Sequence, residues 1–262
     1  MGILNVTPDS FAEPSAKLDP AAAIDAALRM EAEGADIIDI GGESTRPGAD
    51  PLPVEDERAR IVPVLKGLAG RLRVPISVDT YKASIAREAV ELGATIVNDV
   101  SGLLFDPTLA SAIAGSGVAL VLMHMRGRPK TMYDDAVYGD VVADVTRDLR
   151  DAIARATAGG VARDRILVDP GIGFAKRPPH SYGVLAHLGE IAAALDRPIV
   201  AGPSRKSFMR EALDGRPATE RDWGTAAAVT AAVLNGAHIV RVHAVAEMVQ
   251  VVRVAEEIRK QG

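Results

Sequence analysis

The chain alternates short apolar runs with amphipathic patterns, and this alternation limits the possible folds more than any other feature. Eight apolar runs of strand length occur along its 262 residues, near positions 2–5, 37–40, 74–79, 95–99, 118–123, 166–169, 198–202 and 239–243. Each run is followed by a helical pattern, at 20–34, 55–69, 82–92, 107–114, 140–158, 180–195, 220–235 and 244–260. Because right-handed crossovers add each new strand in parallel, eight such units predict an α/β fold closed into a (β/α)8 TIM barrel. A doubly wound open sheet is the alternative.

Composition indicates one globular enzyme domain over residues 1–262. The chain is 48% hydrophobic, carries a net charge of −5 and has no cysteine, which excludes disulfides and thiolate metal ligands. The negative charge argues against broad nucleic-acid binding, because neutralising phosphates needs a basic field. No stretch is long enough to span a membrane, and the first residues lack a leader pattern. We therefore expect a cytoplasmic enzyme whose partners include neither nucleic acid nor a membrane.

Every apolar run ends in polar, glycine or proline residues, which a purely structural barrel does not require. Ligands of such barrels bind at the carboxyl ends of the strands. Side chains two positions apart share one face of a strand, so five polar residues surround one cavity if that face points inward. These residues are Asp79, Asn98, Asp169, Arg241 and His243. Each of them alone is better explained as a loop cap or as a hydrogen-bonded structural residue, but the five together predict a binding site.

The residue types at the strand ends suit a particular kind of ligand. Two carboxylates and an amide in a buried mouth match the N–H donors of a planar heterocycle such as a pterin or a purine. Cationic and neutral groups for a phosphorylated portion are also present: Asn5, Thr45, Arg46, Arg241 and His243. Asn5 offers one amide oxygen, so a metal there has to be a hard cation such as Mg²⁺, held mainly by phosphate and water. The five histidines show no zinc-ligand spacing.

In order and spacing, the strand ends resemble the dihydropteroate synthase family. The matching segments are NVTPDSF, GGESTRPGA, SVDT, VNDVSG, LMHMRGRPKTM, DPGIGF, SRKSF and GTAAAV with RVH. The resemblance spans residues 1 to about 245, and its most specific parts are GESTRPGA and DPGIGF. It implies condensation of 6-hydroxymethyl-7,8-dihydropterin diphosphate with 4-aminobenzoate, giving 7,8-dihydropteroate and pyrophosphate in folate biosynthesis. It also implies a Mg²⁺ cofactor, a homodimer and a sulfonamide target.

The family's functional residues transfer to this chain motif by motif. The resemblance implies a pterin pocket made of Asp79, Asn98, Asp169 and Lys206. It implies a diphosphate site made of Asn5, Thr45, Arg241 and His243, with Asn5 also ligating Mg²⁺. It implies an aminobenzoate site made of Phe11, Arg46, Pro47, Phe174 and Ser207, the last at the start of a helix. The catalytic residues would be Asp79, Lys206, Arg241 and His243.

The resemblance further implies a dissociative reaction, in which the C–O bond to the diphosphate breaks before the amine attacks. Such a route needs stabilisation of charge more than a strong base. Gly41 and Gly42 are expected to let the strand end turn sharply, while Arg46 and Pro47 lie on a mobile loop that closes the aminobenzoate pocket.

The chain departs from the family pattern at a few positions: Pro14, Ser15, Ala175, Ser181, Pro203 and Ala244. Pro14 is expected to stiffen the loop after the first strand, because proline fixes one backbone dihedral. The sequence begins inside the first predicted strand, so we expect natural residues upstream of Met1.

Two other functions stay open. One is the pterin-binding module of a corrinoid methyltransferase, and the other is a catalytically altered pterin-binding paralogue; an assay of pyrophosphate release separates all three.

Overall fold

Eight parallel strands form the centre of the molecule in the part of the chain that is described. The computed structural model describes residues 1–7, 19–46, 48–134 and 136–261. Its strands are β1 (Gly2–Asn5), β2 (Ile38–Gly41), β3 (Ile76–Asp79), β4 (Ile96–Asp99), β5 (Ala119–Met123), β6 (Ile166–Asp169), β7 (Val200–Ala201) and β8 (Ile239–Val240). Each strand overlaps one of the predicted apolar runs.

Backbone pairing closes these strands into a barrel. Strands β1 to β6 pair in sequence order, and β7 pairs with β8. Between β6 and β7, the Val168 amide donates to the Pro198 carbonyl at 3.0 Å. Between β8 and β1, the Ile3 amide donates to the Val242 carbonyl at 2.9 Å, and the Val242 amide donates to the Met1 carbonyl at 3.0 Å. The predicted (β/α)8 barrel is therefore confirmed, and the open sheet is excluded.

Helices surround the barrel, and every strand is followed by at least one of them. They are α1 (Pro20–Ala32), α2 (Val54–Leu68), α3 (Ala83–Glu91), α4 (Leu109–Ile113), α5 (Val141–Ala158), α6 (Pro178–Ala186), α7 (Leu188–Leu195), α8 (Asp222–Leu234) and α9 (Val245–Arg259). Two begin with an aspartate cap. Asp19 Oδ1 accepts from the Ala21 amide at 2.9 Å, and Asp140 Oδ1 accepts from the Val142 amide at 3.0 Å. Among the described residues, none of the helices combines the length and the apolar character needed to cross a bilayer.

The prediction of one helix over 180–195 is wrong, because the chain breaks there into α6 and α7. His187 lies at the junction, with φ of −121°. Its Nδ1 lies 2.8 Å from the Gly183 carbonyl, and the Asn235 side chain donates to the Leu185 carbonyl at 3.3 Å. These contacts supply partners for carbonyl groups in the last turn of α6. The predicted helix at 107–114 shortens to the five residues of α4.

The hydrophobic core lies between the barrel and the helices, and this placement orients the strand side chains. The helix-facing residues of β2 to β6 are fully buried in one apolar cluster, including Ile38, Ile40, Val78, Val97, Leu120, Leu122, Ile166 and Val168. Because side chains alternate along a strand, the residues between them face the barrel interior. Asp39, Ser77, Asp79 and Asn98 occupy such positions, so the polar residues of these strands point toward one shared space.

Candidate active site

Arg241 lies at the centre of the barrel mouth, between carboxylates from two strands. Its Nε donates to Asp39 Oδ2 at 2.6 Å, and its Nη2 donates to Asp79 Oδ2 at 2.7 Å. Asp39 belongs to β2, Asp79 to β3, and Arg241 follows β8. Burial alone would lower the pKa of Arg241, but the two carboxylates hold that pKa above its ordinary value. The guanidinium is thus a fixed positive charge, held rigidly between two aspartates.

Asp39 is a site residue that the sequence reasoning missed. It is fully buried, and besides Arg241 its Oδ2 accepts from the Asn98 amide nitrogen at 3.1 Å. In the described part of the chain, Asp39 Oδ1 and the neighbouring Ser77 Oγ are buried without a hydrogen-bond partner. Asp39 interrupts the apolar run IIDI, two positions before the strand ends. Because side chains alternate along a strand, Asp39 points into the barrel just as Asp79 does.

Asp79 is the carboxylate whose protonation the site perturbs most clearly. Burial raises the pKa of Asp79 to about 7; Arg241 lowers it, and the Asp39 carboxylate raises it further. The Asp79 side chain is 12% exposed, so a small part of it is open to the mouth. Near neutral pH, this group is divided between a carboxylate that accepts hydrogen bonds and an acid that can also donate one.

Asp169 and Lys206 form the opposite side of the mouth. The Asp169 Oδ1 accepts from the Gly171 amide at 2.7 Å, and the Lys206 Nζ donates to the Ile172 carbonyl at 2.6 Å. A Cβ placed on Gly202 would lie 3.7 Å from Lys206 Nζ, 3.8 Å from Arg241 Cβ and 3.9 Å from Asp169 Oδ2. These three side chains therefore converge on Gly202, whose lack of a side chain leaves the space between them open.

Burial shifts the protonation of this pair as well. Burial raises the pKa of Asp169 above its ordinary value, although Lys206 lowers it. Burial lowers the pKa of Lys206 to about 8, although Asp169 raises it. Lys206 remains mostly an ammonium at pH 7, and its Nζ also lies 4.2 Å from the centre of the Phe174 ring.

A buried lysine, Lys176, supports the loop that carries these groups, and the sequence reasoning did not identify it. Lys176 is 1% exposed, and its Nζ lies 3.1 Å from the carbonyl oxygens of both Gly171 and Phe174. The same Nζ lies 2.8 Å from His124 Nδ1. The Lys176 ammonium thus fixes the backbone segment that positions Asp169 and Phe174. An isolated lysine near DPGIGF carries no sequence pattern that distinguishes it from a solvent-exposed one.

His243 enters the site as a neutral imidazole. Burial lowers the pKa of His243 to about 3, and the positive charges of Arg241, Arg205 and Arg46 lower it in the same direction. Its Nδ1 lies 2.9 Å from Ser204 Oγ. Before an anion binds, the predicted cluster of Arg241 and His243 therefore combines one cation with one neutral ring.

The loop after β2 is anchored by a buried ion cluster. The Lys82 ammonium contacts the carboxylates of both Glu43 and Glu57, and the Tyr81 hydroxyl donates to Glu43 Oε1 at 3.0 Å. Glu57 is 1% exposed and comes from α2, while Glu43 begins the loop itself. This cluster fixes the start of the segment that carries Thr45, which is half-buried, and Arg46, which is exposed.

The chain bends where β2 ends, and close packing explains the two glycines found there. Neither Gly41 nor Gly42 has a positive φ. A Cβ on Gly41 would lie 3.3 Å from Asp79 Cβ, and a Cβ on Gly42 would lie 2.8 Å from Ile61 Cγ2. The expected turn is present, with bends at Gly42 and Glu43, but it does not use the left-handed conformation that favours glycine. Gly41 makes room for the Asp79 side chain, and Gly42 lets the loop lie directly on α2.

The remaining predicted residues lie around the same opening. Asn5 is half-buried at the end of β1 and is the register partner of Gly41, which is itself the partner of Asp79. Ser207 is exposed, its Oγ lies 3.3 Å from the Tyr133 hydroxyl, and it begins a 3-10 helix of three residues rather than a longer helix. Phe11 and Pro47 lie outside the described residues, as do Pro14 and Ser15.

Comparisons with known proteins identify the family to which this barrel belongs. A family model described as pterin binding enzyme matches residues 1–243. The chain belongs to this family of pterin-binding (β/α)8 enzymes, and within it to the dihydropteroate synthases. The dihydropteroate synthase of Escherichia coli K12 is 44% identical over 256 residues, which cover 98% of this chain and 90% of that protein.

Solved structures give the same result. A crystal structure of Yersinia pestis dihydropteroate synthase with a sulfonamide drug complex matches with a TM-score of 0.93 at 41% identity, covering 99% of this chain and 93% of that one. Xanthomonas albilineans dihydropteroate synthase with 4-aminobenzoic acid matches with a TM-score of 0.91 at 41% identity, covering 98% and 92% of the two chains. The resemblance stated from the sequence motifs is confirmed.

Proposed function

We propose that this protein condenses 6-hydroxymethyl-7,8-dihydropterin diphosphate with 4-aminobenzoate, forming 7,8-dihydropteroate and pyrophosphate in folate biosynthesis. The observation that carries the proposal is the convergence of Asp169, Lys206 and Arg241 around Gly202, with Asp79 bound to Arg241. Acceptors for a heterocycle and a fixed cation for an anionic leaving group thus face one space.

The pterin binds between Asp79, Asn98, Asp169 and Lys206. Asp169 already accepts from Gly171 with one oxygen, so its Oδ2, which lies next to Gly202, is available to the N–H groups of the pterin. Lys206 donates to the pterin carbonyl and ring nitrogen. Asn98 donates to Asp39, which turns its amide oxygen toward the ligand as an acceptor.

The diphosphate binds beside Arg241, with contacts from Thr45, His243 and Asn5. The residues present fit Mg²⁺: within the described residues there is no cluster of three carboxylate, histidine or cysteine side chains that would hold a metal alone. A single amide oxygen from Asn5, completed by phosphate and water, matches the preference of Mg²⁺ for few protein ligands. When bound, Mg²⁺ supplies positive charge to the diphosphate.

The 4-aminobenzoate binds at the outer edge of the mouth, where Ser207 meets its carboxylate and Phe174 lies against its ring. The Phe174 ring is already fixed by Lys206 Nζ at 4.2 Å, and the Ser207 hydroxyl is exposed. Arg46, Phe11 and Pro47 complete the pocket in the proposal. This arrangement places the amine of the second substrate beside the carbon that carries the diphosphate.

The chemistry is dissociative, with Asp79, Lys206, Arg241 and His243 as the catalytic residues. The C–O bond breaks, the electron pair leaves with the diphosphate, and the pterin cation is captured by the amine, which then loses a proton. Arg241 and the N–H of His243 stabilise the developing negative charge on the leaving group, while Asp79 and Asp169 stabilise the cation. Lys206 holds the pterin in the orientation that this step requires.

The test is a joint assay of pyrophosphate release and dihydropteroate formation. Equal amounts of both products, requiring both substrates and Mg²⁺, are expected. Asp169→Asn replaces an acceptor with a group that also presents donors and should weaken pterin binding by about 2–3 kcal/mol. Asp151→Asn, on the helix surface of α5, is the matched control and should bind pterin normally. Pterin binding without pyrophosphate release would indicate an altered paralogue, and methyl transfer from a folate would indicate the methyltransferase module.

We also propose that the protein forms a homodimer in the cytoplasm. Helices α8 and α9 pack on each other and expose apolar side chains: Leu234 is 42%, Val254 is 62% and Ile258 is 53% exposed. A second copy covering this face would bury them. Analytical ultracentrifugation should show twice the chain mass of 27.4 kDa, and Val254→Glu with Ile258→Glu should give the monomer. A monomer in the unaltered protein contradicts this part of the proposal.

A further inference from the structure

Ser204 is a buried hydroxyl that contacts His243 twice. It lies after β7, it is 4% exposed, and its Oγ is 2.9 Å from His243 Nδ1. The backbone amide of His243 donates to the same Oγ at 3.2 Å. Because β7 and β8 pair along their length, the loop carrying Ser204 and the segment carrying His243 are held side by side.

The placement of Ser204 is itself rigid. The next residue, Arg205, has a left-handed φ of 57°, and its backbone is held on both sides. Its amide donates to Thr225 Oγ1 at 3.0 Å, and its carbonyl accepts from Arg221 at 3.0 Å. The Arg205 guanidinium also binds Asp222 at the start of α8, with both contacts at 2.7 Å. A backbone fixed this firmly leaves Ser204 little freedom to turn away from His243.

Counting protons on these atoms determines the tautomer of His243. Since Ser204 Oγ accepts the His243 amide hydrogen, its own hydroxyl hydrogen needs an acceptor. Among the described residues, the only such contact of Ser204 Oγ is with His243 Nδ1. A proton on Nδ1 would leave the buried hydroxyl hydrogen unpaired, which is costly. The hydroxyl therefore donates to Nδ1, and the ring proton resides on Nε2.

We propose that Ser204 is a positioning residue that holds His243 as the Nε2–H tautomer, so that the ring presents a neutral N–H donor to the diphosphate. The inference rests on the proposed function for the identity of the anion, but not for the tautomer. The charged groups around the ring are Arg46, Arg205, Arg241 and Asp222, three of them cationic, so the surroundings favour a neutral ring. A neutral donor that is fixed in direction needs no reorganisation when negative charge develops on the leaving oxygen.

The first test observes the tautomer directly in the free protein. In protein with ¹⁵N-labelled histidine, long-range correlations distinguish a protonated nitrogen from an unprotonated one, and His243→Gln identifies the His243 signals by their loss. The expected result at pH 7 is an unprotonated Nδ1 and a protonated Nε2. In Ser204→Ala the ¹⁵N chemical shifts of His243 Nδ1 and Nε2 should move toward each other, because both tautomers become populated. Ser204→Thr keeps the hydroxyl and should restore the chemical shifts of the unaltered protein. A proton on Nδ1 in the unaltered protein, or a Ser204→Ala spectrum identical to it, overturns the proposal.

The second test measures the consequence for the anion. Titration calorimetry with pyrophosphate and Mg²⁺ should show Kd raised about three- to tenfold in Ser204→Ala, the effect of one ordinary hydrogen bond. Ser101→Ala is the matched control: Ser101 is 1% exposed and its hydroxyl binds Asp99, so this variant also loses a buried hydroxyl but should leave the His243 signals unchanged. A correct tautomer with unaltered pyrophosphate affinity would show that the ring does not face the diphosphate. A wrong tautomer with normal pyrophosphate release would overturn the inference and leave the proposed function intact.

Discussion

Four side chains in the mouth have a pKa that burial shifts toward the neutral form: Asp79, Asp169, Lys206 and His243. Arg241 keeps its charge, because Asp39 and Asp79 compensate it directly. An acid with a pKa of about 7 and an ammonium with a pKa of about 8 make the occupied charge states of this site depend on pH near neutrality.

The raised pKa of Asp79 has a consequence for stability. Its pKa is about 7 in the folded protein and near 3.8 when unfolded, so the folded state binds the proton more tightly. The contribution of Asp79 to the free energy of unfolding should therefore fall as pH rises from about 4 to about 7. Asp79→Asn cannot titrate, so its stability relative to the unaltered protein should increase over this range. Urea unfolding at several pH values measures the difference, and a constant difference contradicts the prediction.

The lowered pKa of Lys206 predicts the pH dependence of ligand binding. If the ammonium donates to the pterin, affinity should fall about tenfold per pH unit above pH 8, as the free protein loses the charge. The Lys206→Arg variant stays charged, so its affinity should be weaker but free of this decline. Calorimetry with a dihydropterin, corrected for the titration of the ligand itself, makes the comparison. The same decline in both proteins would assign it to another group.

At the scale of single residues, the sequence identified the side chains at the ends of strands better than those that support them. Asp79, Asn98, Asp169, Lys206 and Arg241 come together as the strand periodicity and the motifs predicted. Asp39, Lys176 and Ser204 were not singled out, because their importance comes from contacts with residues distant in the chain. Asp39 and Arg241 are 202 positions apart. Local patterns carry no information about such contacts.

At the scale of elements, the loop after β2 depends on a cluster contributed by three parts of the chain. Lys82 precedes α3, Glu57 lies in α2 and Glu43 lies in the loop. Lys82→Met should lower the free energy of unfolding by about 3–5 kcal/mol, because it leaves two buried carboxylates without their cation. Chemical denaturation measures the loss.

The matched control for this change is Lys130→Met. Lys130 pairs with Asp50 at 2.8 Å, but the two side chains are 65% and 75% exposed, so the free energy of unfolding should stay essentially unchanged. Equal effects of the two substitutions would show that the cluster at Lys82 is not buried as described. A stable Lys82→Met protein with weakened pyrophosphate binding would instead assign the cluster to positioning Thr45.

Element types were predicted more accurately than element ends. All eight strands overlap predicted runs, yet β7 and β8 have only two residues each, because the backbone leaves the ladder where the loops with Ser204 and His243 begin. The break between α6 and α7 was not predicted. The pattern LAHLGE contains good helix formers, and the contact from Asn235 that accompanies the break comes from the end of α8.

At the scale of the whole molecule, the pairing of β1 with Val242 turns a sheet into a barrel. The Ile3 and Val242 amides donate across this seam at 2.9 and 3.0 Å. If the barrel opens only by unfolding, both amides should exchange hydrogen as slowly as the amide of Leu122, a fully buried residue of β5. Native-state exchange in low denaturant tests this. Much faster exchange at Ile3 and Val242 would show that the seam opens independently.

The closed barrel was predictable because it depends on repetition more than on any one contact. Eight strand and helix units in 262 residues leave few other topologies when every crossover is right-handed. The sequence does not specify which backbone groups make the seam. The pairing of Val242 with both Met1 and Ile3 joins segments near opposite ends of the chain. Neither segment has a sequence pattern that predicts this pairing.

The direction of α9 has a practical consequence. This helix follows β8 and runs back along the outside of the barrel for 15 residues, or about 22 Å, so that it ends far from the mouth. Residues Arg259 to Gln261 are exposed there. A tether attached at this end would fix the molecule to a sensor chip with its mouth toward the flowing solution. Small ligands would then reach Asp169 and Arg241 without passing the chip surface.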